Sequence, residues 1–142
     1  MNSHDAAQRG VKRAMLVLEE ARDLQRRSAW NLVVRRSQEA VELALKSALW
    51  WAGLEVPRIH DVGPVLKQNA KRFPKPFSQH IDRLALISRA LRAERETSFY
   101  GNEQSGVPPE ELYTKQDAQE APGKAQQVIE DCHALVHLIG DA

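Results

Sequence analysis

The chain has 142 residues, enough for one domain with its own core and short for two. Apolar residues make up 42% and charged residues 27%, a globular balance that argues against a disordered chain. A membrane span is excluded too: the longest nearly charge-free run, Ala44 to Leu54, contains Lys46 and falls short of the roughly 20 apolar residues a bilayer needs.

Net charge is +1 but unevenly spread: residues 1–95 carry 18 Lys/Arg against 10 Asp/Glu, residues 96–142 carry 2 against 9. This pattern suits a basic face for an anionic partner, or basic and acidic helices that pack together and neutralise locally. The opening stretch MNSHDAAQRGVKR has no apolar run and does not read as a secretory signal. A lone Cys132 cannot form an internal disulfide, so the expected location is the reducing cytoplasm.

Four segments place apolar residues at alternating spacings of three and four, the pattern of helices with one buried stripe. The first runs Ala7, Val11, Ala14, Leu18, Ala21, flanked by Met15 and Leu24. Ser28 is the expected cap of the second, whose stripe is Trp30, Val34, Ser37, Val41, Ala44, Ala48, Trp51, widened by Val33, Leu45 and Leu49. Gly53 is expected to end it before Val56-Pro57. Asp61 is expected to cap a short helix through Pro64 and Leu66 that ends near Phe73-Pro74-Lys75-Pro76. The third stripe is Phe77, Ile81, Leu84, Ser88, Leu91, and a long polar loop follows from Gly101 to Pro109. Thr114 with Asp117 resembles a capping box for the last helix, whose stripe is Ala118, Ala121, Ala125, Val128, Cys132, Leu135, Ile139. Pro122-Gly123 interrupts that helix at a cost of about 3 kcal/mol, so it is expected to kink rather than split. No segment keeps a period of two, so no sheet is expected.

The fold class that follows is all-α: an up-and-down bundle of four helices of 20-odd residues, one domain over 1–142 with the second helix central. Trp30, Val34, Val41, Leu84, Val128 and Leu135 are the expected core. Trp50 and Trp51 project about 100° apart on a helical wheel. One of them therefore needs a second apolar surface, and a two-fold dimer is the simplest supplier.

Three stretches carry a family resemblance. Gln38, Glu42 and Lys46 in SAWNLVVRRSQEAVELALKSALWWAG form a Gln-x-x-x-Glu-x-x-x-Lys run; His60-Asp61 in IHDVGPVL form a His-Asp-hydrophobic segment. RAERETSFYGNE, followed by PPEELYTKQDAQEA, has an Arg-rich helix end, a loop and a Tyr-started last helix. In this order, over about residues 5–139, they resemble the HEPN family of small helical domains. The resemblance implies a four- or five-helix bundle, frequent homodimers, and nucleotides or RNA as partners. It also implies a minimal nucleotidyltransferase as neighbour in a toxin–antitoxin pair. Family members that cut RNA use an Arg followed after four to six residues by His, which acts as general acid/base while the Arg holds phosphate. The matching arginine here is Arg95, and Tyr100, Gly101 and Asn102 stand where the His would fall.

Several constellations remain open on sequence. Arg35, Gln38, Glu39, Glu42 and Lys46 form a polar ribbon on an otherwise apolar helix: a solvated face, or, with Trp50 and Trp51, a groove or dimer seam. Arg89, Arg92 and Arg95, with Arg83 upstream and Lys67, Lys71, Arg72 and Lys75 nearby, can hold a phosphate or pair with Glu94, Glu96, Asp117 and Glu120. Phe99 and Tyr100 can plug the bundle end or stack on a base. His133 and His137, one turn apart with Glu130 and Asp141, form a surface pair, and no metal or other cofactor is expected. The preferred function is a non-catalytic binding module for a nucleotide, an RNA or a nucleotidyltransferase, with Arg89, Arg92, Arg95 and Tyr100 as contacts and no catalytic residue. The alternatives are an atypical ribonuclease using Arg95 with Tyr100 or His60, and a bundle that serves only protein association.

Overall fold

The computed structural model describes residues 2–138, so Ile139 and Asp141 lie outside the described residues. Long helices follow the stripes: α1 (Ser3–Arg26), α2 (Trp30–Trp51), α4 (Ile81–Arg92) and α7 (Lys115–Val136). The short α3 (Gly63–Gln68), α5 (Thr97–Tyr100) and α6 (Pro109–Leu112) lie in the connections. The bundle is all-α; among the described residues the one β feature is an isolated bridge between Asn102 and Val107. α4 is shorter than the 20-odd residues expected. Phe77–His80 form a 3₁₀ turn, and the α-helix begins only at Ile81.

α2 is central: α1, α4, α5, α6 and α7 all pack on it. The stripes are buried as expected, with Val34, Val41, Leu84, Val128 and Leu135 all in the core. Trp30 departs from expectation. As the first residue of α2 it sits at the end of the bundle and is only half-buried against the core.

Helix ends explain two local features. α1 ends in a Schellman motif, in which the Ala29 N–H donates to the Leu24 carbonyl at 3.0 Å and the Ser28 N–H to that of Gln25 at 3.1 Å. Ser28 occupies the left-handed position of that motif at φ 58°, so it finishes α1 and does not cap α2, whose N-cap is Ala29. α2 ends in the same way: Leu54 donates to Leu49 and Gly53 to Trp50, with Gly53 at φ 73°. The Thr114–Asp117 capping box forms as expected.

α7 runs unbroken through Pro122. A proline cannot donate to the carbonyl four residues back, here that of Ala118. The Gln25 side chain of α1 donates to that carbonyl instead, at 3.1 Å. Gln8, at the other end of α1, donates to the Val136 carbonyl at 3.1 Å. Two glutamines thus clip α1 antiparallel to α7 at orphaned acceptors.

The tryptophans find neighbours inside the chain. Trp51 stacks between His4 (5.3 Å) and Phe73 (6.4 Å), and Trp50 lies over Gly10 of α1. Both rings are therefore accommodated within one chain, and the pair does not call for a second subunit.

Two substitutions test the twin helix ends. Side chains at left-handed positions cost about 1–2 kcal/mol. Ser28→Gly should raise stability by up to about 1 kcal/mol, whereas Gly53→Ala, with open space around its added Cβ, should lower it by about as much. Urea unfolding followed by circular dichroism measures both. Equal stability of all three proteins would show that neither φ is strained. In the core, Leu84→Ala should cost roughly 2–5 kcal/mol in the same assay.

Candidate functional site

Asn31, Arg35, Gln38, Glu42 and Lys46 follow one another at spacings of four, three, four and four, which makes a polar stripe beside the apolar ones on α2. It is not a solvated face. Two segments remote in sequence close over it, leaving Glu42 only 15% exposed.

The first segment is the turn between α4 and α5. Asn31 donates to the Ser98 carbonyl at 3.0 Å, and Arg35 to the Arg95 carbonyl at 2.6 Å. The Arg95 guanidinium reaches back to donate to Gln38 Oε1 at 2.9 Å, 3.7 Å from Glu42 Oε1. The second segment is the α2–α3 connection, which brings His60 Nδ1 to 3.0 Å from Glu42 Oε1. Asp61 anchors it: its carboxylate accepts from the Ser88 hydroxyl at 2.8 Å and the Gly63 N–H at 3.1 Å, while Ser88 Oγ accepts from the Val62 N–H. Asp61 thus bonds the first residue of α3, but the N-cap position belongs to Val62.

Glu42 is the hub. Gln38 donates to its Oε1 at 3.1 Å and Lys46 to its Oε2 at 2.9 Å. Burial alone would raise its pKa, but the hydrogen bonds from Lys46, Gln38 and His60 outweigh that and hold the carboxyl below its ordinary 4.5. With Nδ1 donating to the carboxylate, the His60 ring keeps Nε2 as an acceptor, and its side chain is 40% exposed.

The cluster joins all three stretches that carry the sequence resemblance: Gln38, Glu42 and Lys46 from α2, His60 and Asp61 from the connection, Arg95 from the turn. A family model described as HEPN domain matches residues 7–135. The chain belongs to the HEPN family. No curated protein and no solved structure matches it.

In this HEPN chain the three positions after Arg95 that lack a histidine have other tasks. Gly101 stands at φ 77°, and a Cβ there would come within 2.4 Å of the Val107 carbonyl oxygen. Asn102 Oδ1 accepts from the backbone N–H groups of Gln104 and Ser105 at 3.1 Å, and the Asn102 N–H donates to Val107. The polar loop from Gly101 is therefore a closed turn. Tyr100, 60% exposed, is the one of the three whose side chain takes no part in the turn.

The other residues singled out in the sequence do not assemble into one site. Arg89 is exposed, Arg92 pairs with Glu96 at 2.9 Å, Arg83 with Asp131, and Arg95 turns inward. Trp50 and Trp51 face α1 and Phe73, away from the polar stripe, so no single groove holds them with Gln38, Glu42 and Lys46. Phe99 and Tyr100 do not plug the bundle; Ser98 between Thr97 and Phe99 is the buried residue of α5. The His133 and His137 rings stack at 4.2 Å, with His137 Nδ1 on the His133 carbonyl, and the described residues include no group of three metal ligands. Cys132 is buried, which pushes its thiol pKa up and leaves it unreactive. No helix among the described residues is long and apolar enough to cross a membrane.

Sequence reasoning misses Asn31, although its spacing extends the stripe by one turn, and it places Ser88 on the apolar stripe, where its hydroxyl serves Asp61. It also gives no reason to bring His60 to Glu42.

The hub makes stability depend on acid. Because the folded-state pKa of Glu42 lies below its unfolded value near 4.5, its contribution is whole above that pH and is lost as pH falls through the folded value. Glu42→Gln should cost about 1–3 kcal/mol at pH 7. It should also flatten the loss of stability between about pH 5 and 3 in urea titrations. Parallel pH profiles for the two proteins would mean that the charge contributes nothing.

Proposed function

We propose that this chain is a non-catalytic HEPN module that binds a nucleotide or RNA through the segment from Arg89 to Tyr100. In this reading it works in the cytoplasm as a homodimer, beside a minimal nucleotidyltransferase in a toxin–antitoxin pair. The observation that carries it is the use of the positions after Arg95. Gly101 stands at a turn that a histidine would break and Asn102 closes that turn with its side-chain oxygen, while Arg89 and Tyr100 are exposed and Arg92 lies between them, partly exposed and paired with Glu96. Arg95 itself, bonded to Gln38 and Glu42, holds this segment on α2 so that its neighbours are presented. A second copy would cover Leu86, 68% exposed on the outer side of α4; sedimentation at micromolar concentration should then give twice the 16.0 kDa chain mass.

The His60–Glu42 pair favours one further reading, a ribonuclease in which His60 exchanges the proton and Arg95 faces the phosphate. Against it, Arg95 is engaged with Gln38 and Glu42, so its guanidinium is not free to grip a substrate.

Purified protein in EDTA should leave RNA intact and bind it in a salt-sensitive way. Arg89→Ala with Arg92→Ala should weaken that binding across sequences. The slope of log affinity against log salt should fall by about 0.7 for each phosphate that the variant no longer neutralises. Cleavage that vanishes in His60→Ala would establish the ribonuclease instead. Absence of both binding and cleavage would leave the association bundle.

A further inference from the structure

The geometry points to an aromatic platform for unpaired nucleobases at the end of α5, formed by Phe99 and Tyr100 beside a groove between α1 and α2. This rests on the nucleotide- or RNA-binding reading and adds to it the ligand class: single-stranded RNA, held by its bases as well as its phosphates.

Phe99 and Tyr100 are adjacent and 48% and 60% exposed, an arrangement that costs apolar hydration and contributes nothing to the core. Their rings meet edge to face at 4.9 Å, which fixes each relative to the other. The Arg35 guanidinium, itself mostly buried, lies 5.0 Å from the Phe99 centroid and supports that ring from beneath. The platform is thus rigid from below and open above. Phe99 also lines a groove of about 280 Å³ with Leu32, Arg27, Arg35 and Arg36; Glu39 pairs with Arg35 and Arg36, and Glu20 with Arg36, which leaves Arg27 as the exposed arginine of the lining. That volume lies just under the range of whole small-ligand sites, so it suits one base or sugar of a longer strand. Every base has a π-face, so stacking tolerates sequence, while exposed Arg27 at the groove and the basic excess of residues 1–95, which supply α1 and α2 on either side of it, favour a polyanion over a neutral aromatic partner.

Fluorescence anisotropy with a labelled single-stranded oligouridylate of about ten nucleotides tests this. Tyr100→Ala and Phe99→Leu should each weaken binding roughly tenfold. Tyr100→Trp should retain it, and an abasic oligomer should bind the unaltered protein as weakly as the oligouridylate binds Tyr100→Ala. Unchanged affinity in Tyr100→Ala, with binding abolished in Arg89→Ala/Arg92→Ala, would overturn the platform and leave the arginine reading standing. If the unaltered protein binds no oligomer, both fall. If Tyr100→Ala instead converts an RNA-free dimer to monomer in sedimentation, a second copy of the chain covers the rings and the platform is overturned.

Discussion

A carboxylate on the most enclosed helix of a bundle must be paired, or it will be neutralised or unfold the chain. Glu42 meets that demand with Lys46 and Gln38 from its own helix and with His60 and Arg95 from two remote segments. Much of the architecture outside the three-helix core of α1, α2 and α7 follows from it. The α2–α3 connection has to pass over α2 to deliver His60, and Asp61 then ties it to Ser88 of α4. The chain leaving α4 has to turn back toward α2 to deliver Arg95. Once it has, Asn31 and Arg35 take up the carbonyls of Ser98 and Arg95 that the turn leaves without helical donors. One ionised group thereby ties down two connections, in the first of which Val62 is buried in the core and Leu54 and Val56 pack against it.

The helices are legible in the sequence because their determinants are local. Each stripe is a periodic signal averaged over several turns, and the expected core positions fail only at Trp30, where the helix begins and the core ends. Caps are less legible. Ser28 suits a helix start by type, yet the short link between α1 and α2 leaves room for only one motif. Ending α1 with two backbone hydrogen bonds prevails over starting α2 with one from a side chain. Pro122 leaves α7 unsplit, as the unbroken stripe implies, but sequence offers no way to see Gln25 supplying the missing donor from another helix.

The candidate site is half legible for the same reason. Gln38, Glu42 and Lys46 are a helical pattern and stand out as one; their partners lie 18 and 53 residues from Glu42, beyond any periodicity. The tryptophan pair shows the converse error. Geometry on a single helical wheel correctly places Trp50 and Trp51 on different faces. It cannot show that the bundle has two faces to offer, α1 on one side and Phe73 with His4 on the other.

Scaffold and contact surface are separated within a few residues at the end of α4. Arg95 and Ser98 point inward and secure the segment; Phe99 rests on the Arg35 guanidinium with half its surface open, and Tyr100 is exposed. Beyond them the chain is again constrained, since Gly101 needs a positive φ with no Cβ and Asn102 closes the turn with its side-chain oxygen. Of the three positions where a ribonuclease would carry its histidine, Gly101 could not accept one without rebuilding the turn, and at Asn102 the exchange would remove the oxygen that accepts from Gln104 and Ser105. Tyr100 is the exception, since its side chain is free of the turn and open to solvent. A histidine there would sit on the exposed side of the segment while Arg95 stays turned to Glu42. Restoring the motif in sequence would therefore not by itself restore a site in which both groups meet one phosphate.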